Sequence, residues 1–71
     1  MSHAPAVTVN GERRATVPET LIELVRAEGH DPGRRGIAVA VNGRVVPRAK
    51  WSDRVLSPED DVEIVKAFSG G

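Results

Sequence analysis

The sequence predicts an α+β domain of two layers, with one helix packed on one face of a mixed sheet. Three observations predict it. Leu21, Leu24 and Val25 form an apolar stripe at helical spacing, the clearest such stripe in the chain. Ile37–Val41 is apolar throughout, as an inner strand is. Asn-Gly occurs twice, at 10–11 and 42–43, each time between candidate strands, where the pair supplies the positive φ of a tight hairpin.

Val7-Thr8-Val9 alternates as a half-buried strand does. Asn10-Gly11 reverses the chain, and residues 12–17 return as a polar edge strand whose charges discourage mispairing. Pro18-Glu19 ends that strand. Thr20-Leu21-Ile22-Glu23 has the form of a capping box, with Thr20 as N-cap and Glu23 reaching back. Gly29 is placed to close the helix in a left-handed cap. A helix of about two to three turns does not hold alone and needs a sheet to pack on. Residues 31–36, Asp-Pro-Gly-Arg-Arg-Gly, are turn chemistry, with Arg34-Arg35 read as a solvated charge pair.

Because Ile37–Val41 is apolar on both faces, it is expected to be covered on both sides. Ile37, Val39 and Val41 should face the helix, leaving Ala38 and Ala40 as a flat surface on the other side. Arg44-Val45-Val46 returns from the second hairpin, and Pro47, which cannot donate to a ladder, ends it. Val62-Glu63-Ile64-Val65 is the last strand. The order strand, strand, helix, strand, strand, connecting stretch, strand is that of a β-grasp, the ubiquitin-like fold. A mixed five-stranded sheet with its first and last strands parallel at the centre is the expected result. The domain is expected to span residues 6–66, between a frayed segment 1–5 and a flexible tail 67–71.

Composition narrows the function. Seventy-one residues make one domain with a small core. A formal net charge of zero argues against a nucleic-acid binder, which needs a basic face. No apolar run approaches membrane-spanning length and no secretory leader pattern opens the chain, so a cytoplasmic protein, monomeric when free, is expected. There is no Cys, hence no thiolate nucleophile and no cysteine metal site, and no metal is expected. With no Tyr and two isolated histidines, His3 and His30, the chain offers no nucleophile–base pair. Gly29-His30-Asp31-Pro32-Gly33 comes after a helix rather than opening one, so it reads as a helix stop and not as a phosphate loop. The expectation is a protein on which other enzymes act, not an enzyme.

Attention therefore falls on Gly70-Gly71. Two glycines leave a carboxylate on a stem with no side chains, able to thread a channel that any Cβ would block. Ser69 and Phe68 belong to the same threading segment. Phe68 either packs back onto its own sheet or docks into a partner, and the sequence leaves both open. Residues 67–71, fully extended, reach roughly 17 Å.

Val45-Val46-Pro47-Arg48-Ala49-Lys50-Trp51 resembles the Ile-Val-Pro-Arg-x-x-Trp segment of the bacterial thiamine-biosynthesis sulfur carriers, the ThiS family. Val39-Ala40-Val41-Asn42-Gly43, Val7-Thr8-Val9-Asn10-Gly11 and Val62-Glu63-Ile64-Val65 with Gly70-Gly71 are similar to it as well, so the resemblance runs from Val7 to Gly71. One departure is Pro58-Glu59-Asp60-Asp61, where the family more often has Gly-Asp. The resemblance implies that a ThiF-like adenylating enzyme uses MgATP to convert the Gly71 carboxylate to an acyl-adenylate. A sulfur donor, either a persulfide on a sulfur-donor protein or free sulfide, then displaces AMP to give a thiocarboxylate, and a ThiG-like thiazole synthase takes the sulfur. The chain itself is implied to bind no cofactor. An apolar patch of Ala38 and Ala40, with Val65 beside them, is either a docking face for the adenylating enzyme or a lightly covered sheet face. Trp51 is either core or a partner contact, and Arg48 either pairs with a carboxylate or meets a partner. Rival readings are a carrier for molybdopterin, cysteine or tRNA thiolation, a ubiquitin-like modifier joined through Gly71, and a β-grasp interaction module.

Overall fold

The computed structural model describes residues 6–66. The expected frayed segment 1–5, with His3, and the expected tail 67–71, with Phe68, Ser69, Gly70 and Gly71, lie outside the described residues. Five strands and one α-helix occur in the expected order: β1 Val7–Val9, β2 Glu12–Arg14, α1 Leu21–Ala27, β3 Ile37–Val41, β4 Arg44–Val45 and β5 Asp61–Lys66, with a 3₁₀ turn at Arg48–Lys50. The strands form one sheet in the order β2-β1-β5-β3-β4. β1 and β5 pair in parallel, and every other pair is antiparallel. This is the β-grasp arrangement, with β5 at the centre of the sheet.

Both Asn-Gly turns take positive φ at both residues: 49° and 85° at Asn10 and Gly11, 53° and 82° at Asn42 and Gly43. That is the handedness that suits the twist of the flanking strands. Gly29 closes α1 at φ 90°, and its N–H and that of His30 donate to the carbonyls of Arg26 and Val25, satisfying the helix end. The start of α1 departs from expectation. Thr20 is the N-cap, but its hydroxyl donates to the Glu23 carboxylate (2.9 Å) and caps no backbone N–H. The reason is tertiary: the N–H groups of Leu21 and Ile22 donate to the carbonyls of Arg54 and Trp51. The connecting stretch therefore does the work of the cap.

β2 ends at Arg14 and does not reach Val17. Beyond Arg14 the chain leaves the sheet edge for residues 55–56: Leu56 N–H donates to the Glu19 carbonyl, and Thr20 forms a bridge with Val55. Arg14 itself grips Glu28 (2.7 and 3.0 Å) and Glu12 (3.0 Å), tying the edge strand to the end of the helix.

The core lies between α1 and one face of the sheet. Val7, Val9, Leu21, Leu24, Val25, Val39, Val41, Trp51, Val62 and Ile64 are buried in one cluster. Trp51 therefore belongs to the core, and its indole N–H donates to the Val46 carbonyl (2.8 Å). β3 is an inner strand but is covered on one side only. Ala38 is exposed, and among the described residues the double-sided covering expected from its composition is not present. Alanine is small enough to lie on an open face at little cost, so apolarity alone did not distinguish the two cases.

One charged side chain is buried among the described residues. Asp60, 6% exposed, accepts from the Ser57 N–H (2.8 Å) and the Asn42 amide (3.0 Å) and lies 3.3 Å from the Arg54 guanidinium. Burial pushes this carboxyl up, but those hydrogen bonds and the Arg54 charge outweigh it and hold it below the usual aspartate value. The unfolded chain thus takes up the proton first. The stability Asp60 contributes is complete above its unfolded value, about pH 4, and is lost as pH falls through the lower folded value. We expect Asp60→Asn to lower the urea midpoint at pH 7 and the gap from the native chain to narrow on acidification. A gap that widened would contradict the sign.

The adjacent Glu59 has φ 72°, a left-handed conformation costly for a side chain with a Cβ. Glu59→Gly is expected to raise stability by about 1 kcal/mol, read as a higher urea midpoint.

Candidate functional site

Alternation along the strands divides the sheet residues between two faces. Val7, Val9, Val39, Val41, Val62 and Ile64 take the helix side. Ala38, Ala40 and Val65 take the other, together as expected: Ala38 stands opposite Val65 in the β3–β5 register, and Ala40 stands opposite Glu63. Val65 is 57% exposed. The sequence reading missed a fourth member, Val45, which pairs with Ala40 across the β3–β4 hairpin and is 74% exposed. The signal was available, since the Asn42-Gly43 turn fixes that register. The patch is apolar along β3 and β4 but carries the Glu63 carboxylate at its centre.

β5 runs along this face and is the strand that leads to the tail. It is anchored on both sides, and each hairpin asparagine contributes. Asn10 N–H donates to the Val62 carbonyl, and its side-chain oxygen accepts from the Ile64 N–H (2.8 Å). The side chain thus extends the β1–β5 ladder past the point where β1 turns away. On the other side, the Asn42 oxygen accepts from the Asp61 N–H (2.9 Å) while its amide donates to Asp60. Neither role has a local signature, because each joins residues far apart in sequence. The result is a strand whose last described residue, Lys66, has a fixed place in register opposite Ile37.

Arg48 places its guanidinium 5.2 Å from the centre of the Trp51 ring and donates to the Arg34 carbonyl. Of its two expected roles, pairing with a carboxylate is not seen among the described residues. Among the described residues no three His, Cys, Asp or Glu side chains converge to hold a metal ion, and no helix is long and apolar enough to cross a membrane. The open face can therefore bind a surface, and β5 can start the tail from a fixed point.

Comparison with known proteins agrees with this geometry. The family model of the ThiS family matches residues 7–71. The sulfur carrier protein ThiS of Escherichia coli (strain K12) is 30% identical over 53 residues, which cover 75% of this chain and 77% of that one. The crystal structure of the thiamine biosynthesis protein ThiS from Geobacter metallireducens superposes with a TM-score of 0.73 at 27% identity, covering 93% of this chain and 99% of that one.

Proposed function

The chain belongs to the ThiS family, and on that premise we propose that it is a sulfur carrier of thiamine biosynthesis whose Gly71 carboxylate is the sulfur-bearing group. The observation that carries this reading is the reach of the family match, which runs from the first strand through Gly70-Gly71. The anchoring of β5 supports it, because a carrier must present its terminus from a fixed point.

The chemistry is that of the group itself. A free α-carboxyl has an ordinary pKa of about 3.5, so at neutral pH it is an anion that resists nucleophiles. A partner adenylating enzyme with MgATP joins a carboxylate oxygen to the α-phosphorus, and pyrophosphate leaves. Hydrosulfide then attacks the acyl carbon, AMP leaves and the proton goes to solvent, which divides one difficult substitution into two. A persulfide donor attacks in the same way but leaves an acyl disulfide. A second thiol, itself oxidised to a disulfide with the donor sulfur, releases the thiocarboxylate from it. The product, a thiocarboxylate, passes its sulfur to a thiazole synthase. With no Cys elsewhere in the chain, the carbonyl of Gly71 is the one place to hold it.

Intact mass after incubation with MgATP, the host's adenylating enzyme and a sulfur source tests this. A shift of one oxygen exchanged for sulfur, absent when Gly71 is deleted, is expected. No shift, with an enzyme shown active on another carrier, overturns the reading.

The open face supports docking of the adenylating enzyme at Ala38, Ala40 and Val65, with Val45 extending the surface. Ala40→Arg puts a long cation in the middle of it and is expected to raise the Kd for that enzyme about tenfold with the fold intact, the scale of a side chain that matters at an interface. Unchanged affinity would remove the patch from the interface.

A further inference from the structure

A net charge of zero conceals an uneven distribution of charge. The register that sets Ile37 opposite Lys66 brings the loop before β3 to the end of the sheet where β5 stops. That loop carries Arg34 and Arg35, both exposed. Arg48, also exposed, is held beside it by its bond to the Arg34 carbonyl. With Lys66, four of the chain's ten Lys and Arg residues lie on segments that the β3–β5 register and the Arg48–Arg34 bond bring to this end of the sheet. Asp31 is the one carboxylate in residues 30–36, and it accepts the Gly33 N–H within its own turn. The three ion pairs among the described residues use Arg14 and Arg54 and none of these four cations. At the other end of β5, roughly 17 Å away at about 3.3 Å per residue, Glu59 and Asp61 are exposed, while Asp60 is buried against Arg54 and Arg44 lies on the neighbouring hairpin.

We propose that Arg34, Arg35, Arg48 and Lys66 form a basic collar that docks on an acidic rim around the entrance through which the adenylating enzyme admits the tail. The proposal rests on the sulfur-carrier reading above and specifies its partner surface. The argument is one of tether length. Residues 67–71 reach at most roughly 17 Å from Lys66, so an enzyme whose active site lies in a recess and which takes hold of Gly71 must bring its entrance against the collar. An entrance lined with cations would be repelled by four clustered charges, whereas an acidic one is attracted and oriented. The collar does not serve the nucleotide, because the reacting carbonyl lies the length of the tail away.

The association rate with the host's adenylating enzyme, measured without ATP, tests this. Arg35→Glu and Arg44→Glu make the same change in charge, the first at the collar and the second on β4 beside the Asn42-Gly43 turn at the far end. The double variant Arg34→Glu/Arg35→Glu is expected to slow association about tenfold or more at low salt, Arg35→Glu alone several-fold, and Arg44→Glu less than about twofold. Raising salt from about 0.05 M to about 0.5 M should remove most of the difference, since the screening length falls to a few ångströms. Arg34→Lys/Arg35→Lys should keep the native rate, because charge and not guanidinium geometry carries the effect. Equal slowing by Arg35→Glu and Arg44→Glu, or a loss indifferent to salt, overturns the collar. If the native chain is still thiocarboxylated in that case, the sulfur-carrier reading stands without it. A native chain that the enzyme neither binds nor adenylates overturns both.

Discussion

Gly70→Ala is expected to leave the fold unchanged and to lower kcat/KM for adenylation about 100-fold, the scale of loss for an ångström-sized misplacement of a reacting group. Among the described residues the core and the ladders lie within 6–66, and Gly70 brings no side chain to either, so circular dichroism and the urea midpoint should match the native chain. The substitution acts on the stem alone. Two successive glycines let the backbone lie against a channel wall and take φ values closed to other residues. A single methyl group at position 70 meets that wall one residue from the carbon under attack. Ser69→Ala, which removes atoms from a position that already has a Cβ, serves as control and should cost little. Steady-state adenylation kinetics of the three chains decide the matter, and unchanged kinetics for Gly70→Ala would refute the channel argument.

Much of the scaffold that presents this stem was legible in the sequence, and the legible part was local. Asn10-Gly11 and Asn42-Gly43 announced their turns because the conformation is dictated by the two residues themselves. The stripe Leu21, Leu24, Val25 and the stop at Gly29 fixed the helix for the same reason. The features that escaped were assembled across the chain. The helix start is satisfied by carbonyls of residues 51 and 54, so the local capping signal was present and its bond was not. Asn10 and Asn42 read as turn formers, yet their side chains also bind the backbone of β5, 54 and 19 residues away along the chain. Asp60, to which the sequence assigned no role, is the buried anchor of its turn. The site shows the same division. Ala38 and Ala40 were placed on the open face by alternation alone, whereas Val45 and the grouping of Arg34, Arg35, Arg48 and Lys66 depend on register. A pair of arginines in a loop carries no sign of the strand end beside which it comes to rest.

Trp51→Ala should have the largest effect on stability of any single truncation, about 3–5 kcal/mol. Trp51 is the largest fully buried side chain, 1% exposed. Its indole N–H holds the Val46 carbonyl at the end of β4, and its own carbonyl receives the Ile22 N–H at the start of α1. It therefore joins the edge of the sheet, the connecting stretch and the helix, and the substitution removes packing while leaving the Val46 carbonyl unpaired. A chain of 71 residues has roughly 4–10 kcal/mol of stability in all, so the variant should lie near its unfolding midpoint at 37 °C. Trp51→Phe keeps most of the apolar volume and loses the N–H, and should cost only about 1–3 kcal/mol. Urea denaturation separates the cases. A midpoint unchanged in Trp51→Ala would mean that this side chain serves a partner and not the core. The comparison with Gly70→Ala then separates two ways of losing the same activity. Trp51→Ala should fail to be adenylated in proportion to the fraction unfolded and recover on cooling or with a stabilising substitution such as Glu59→Gly, whereas Gly70→Ala, fully folded, should recover with neither.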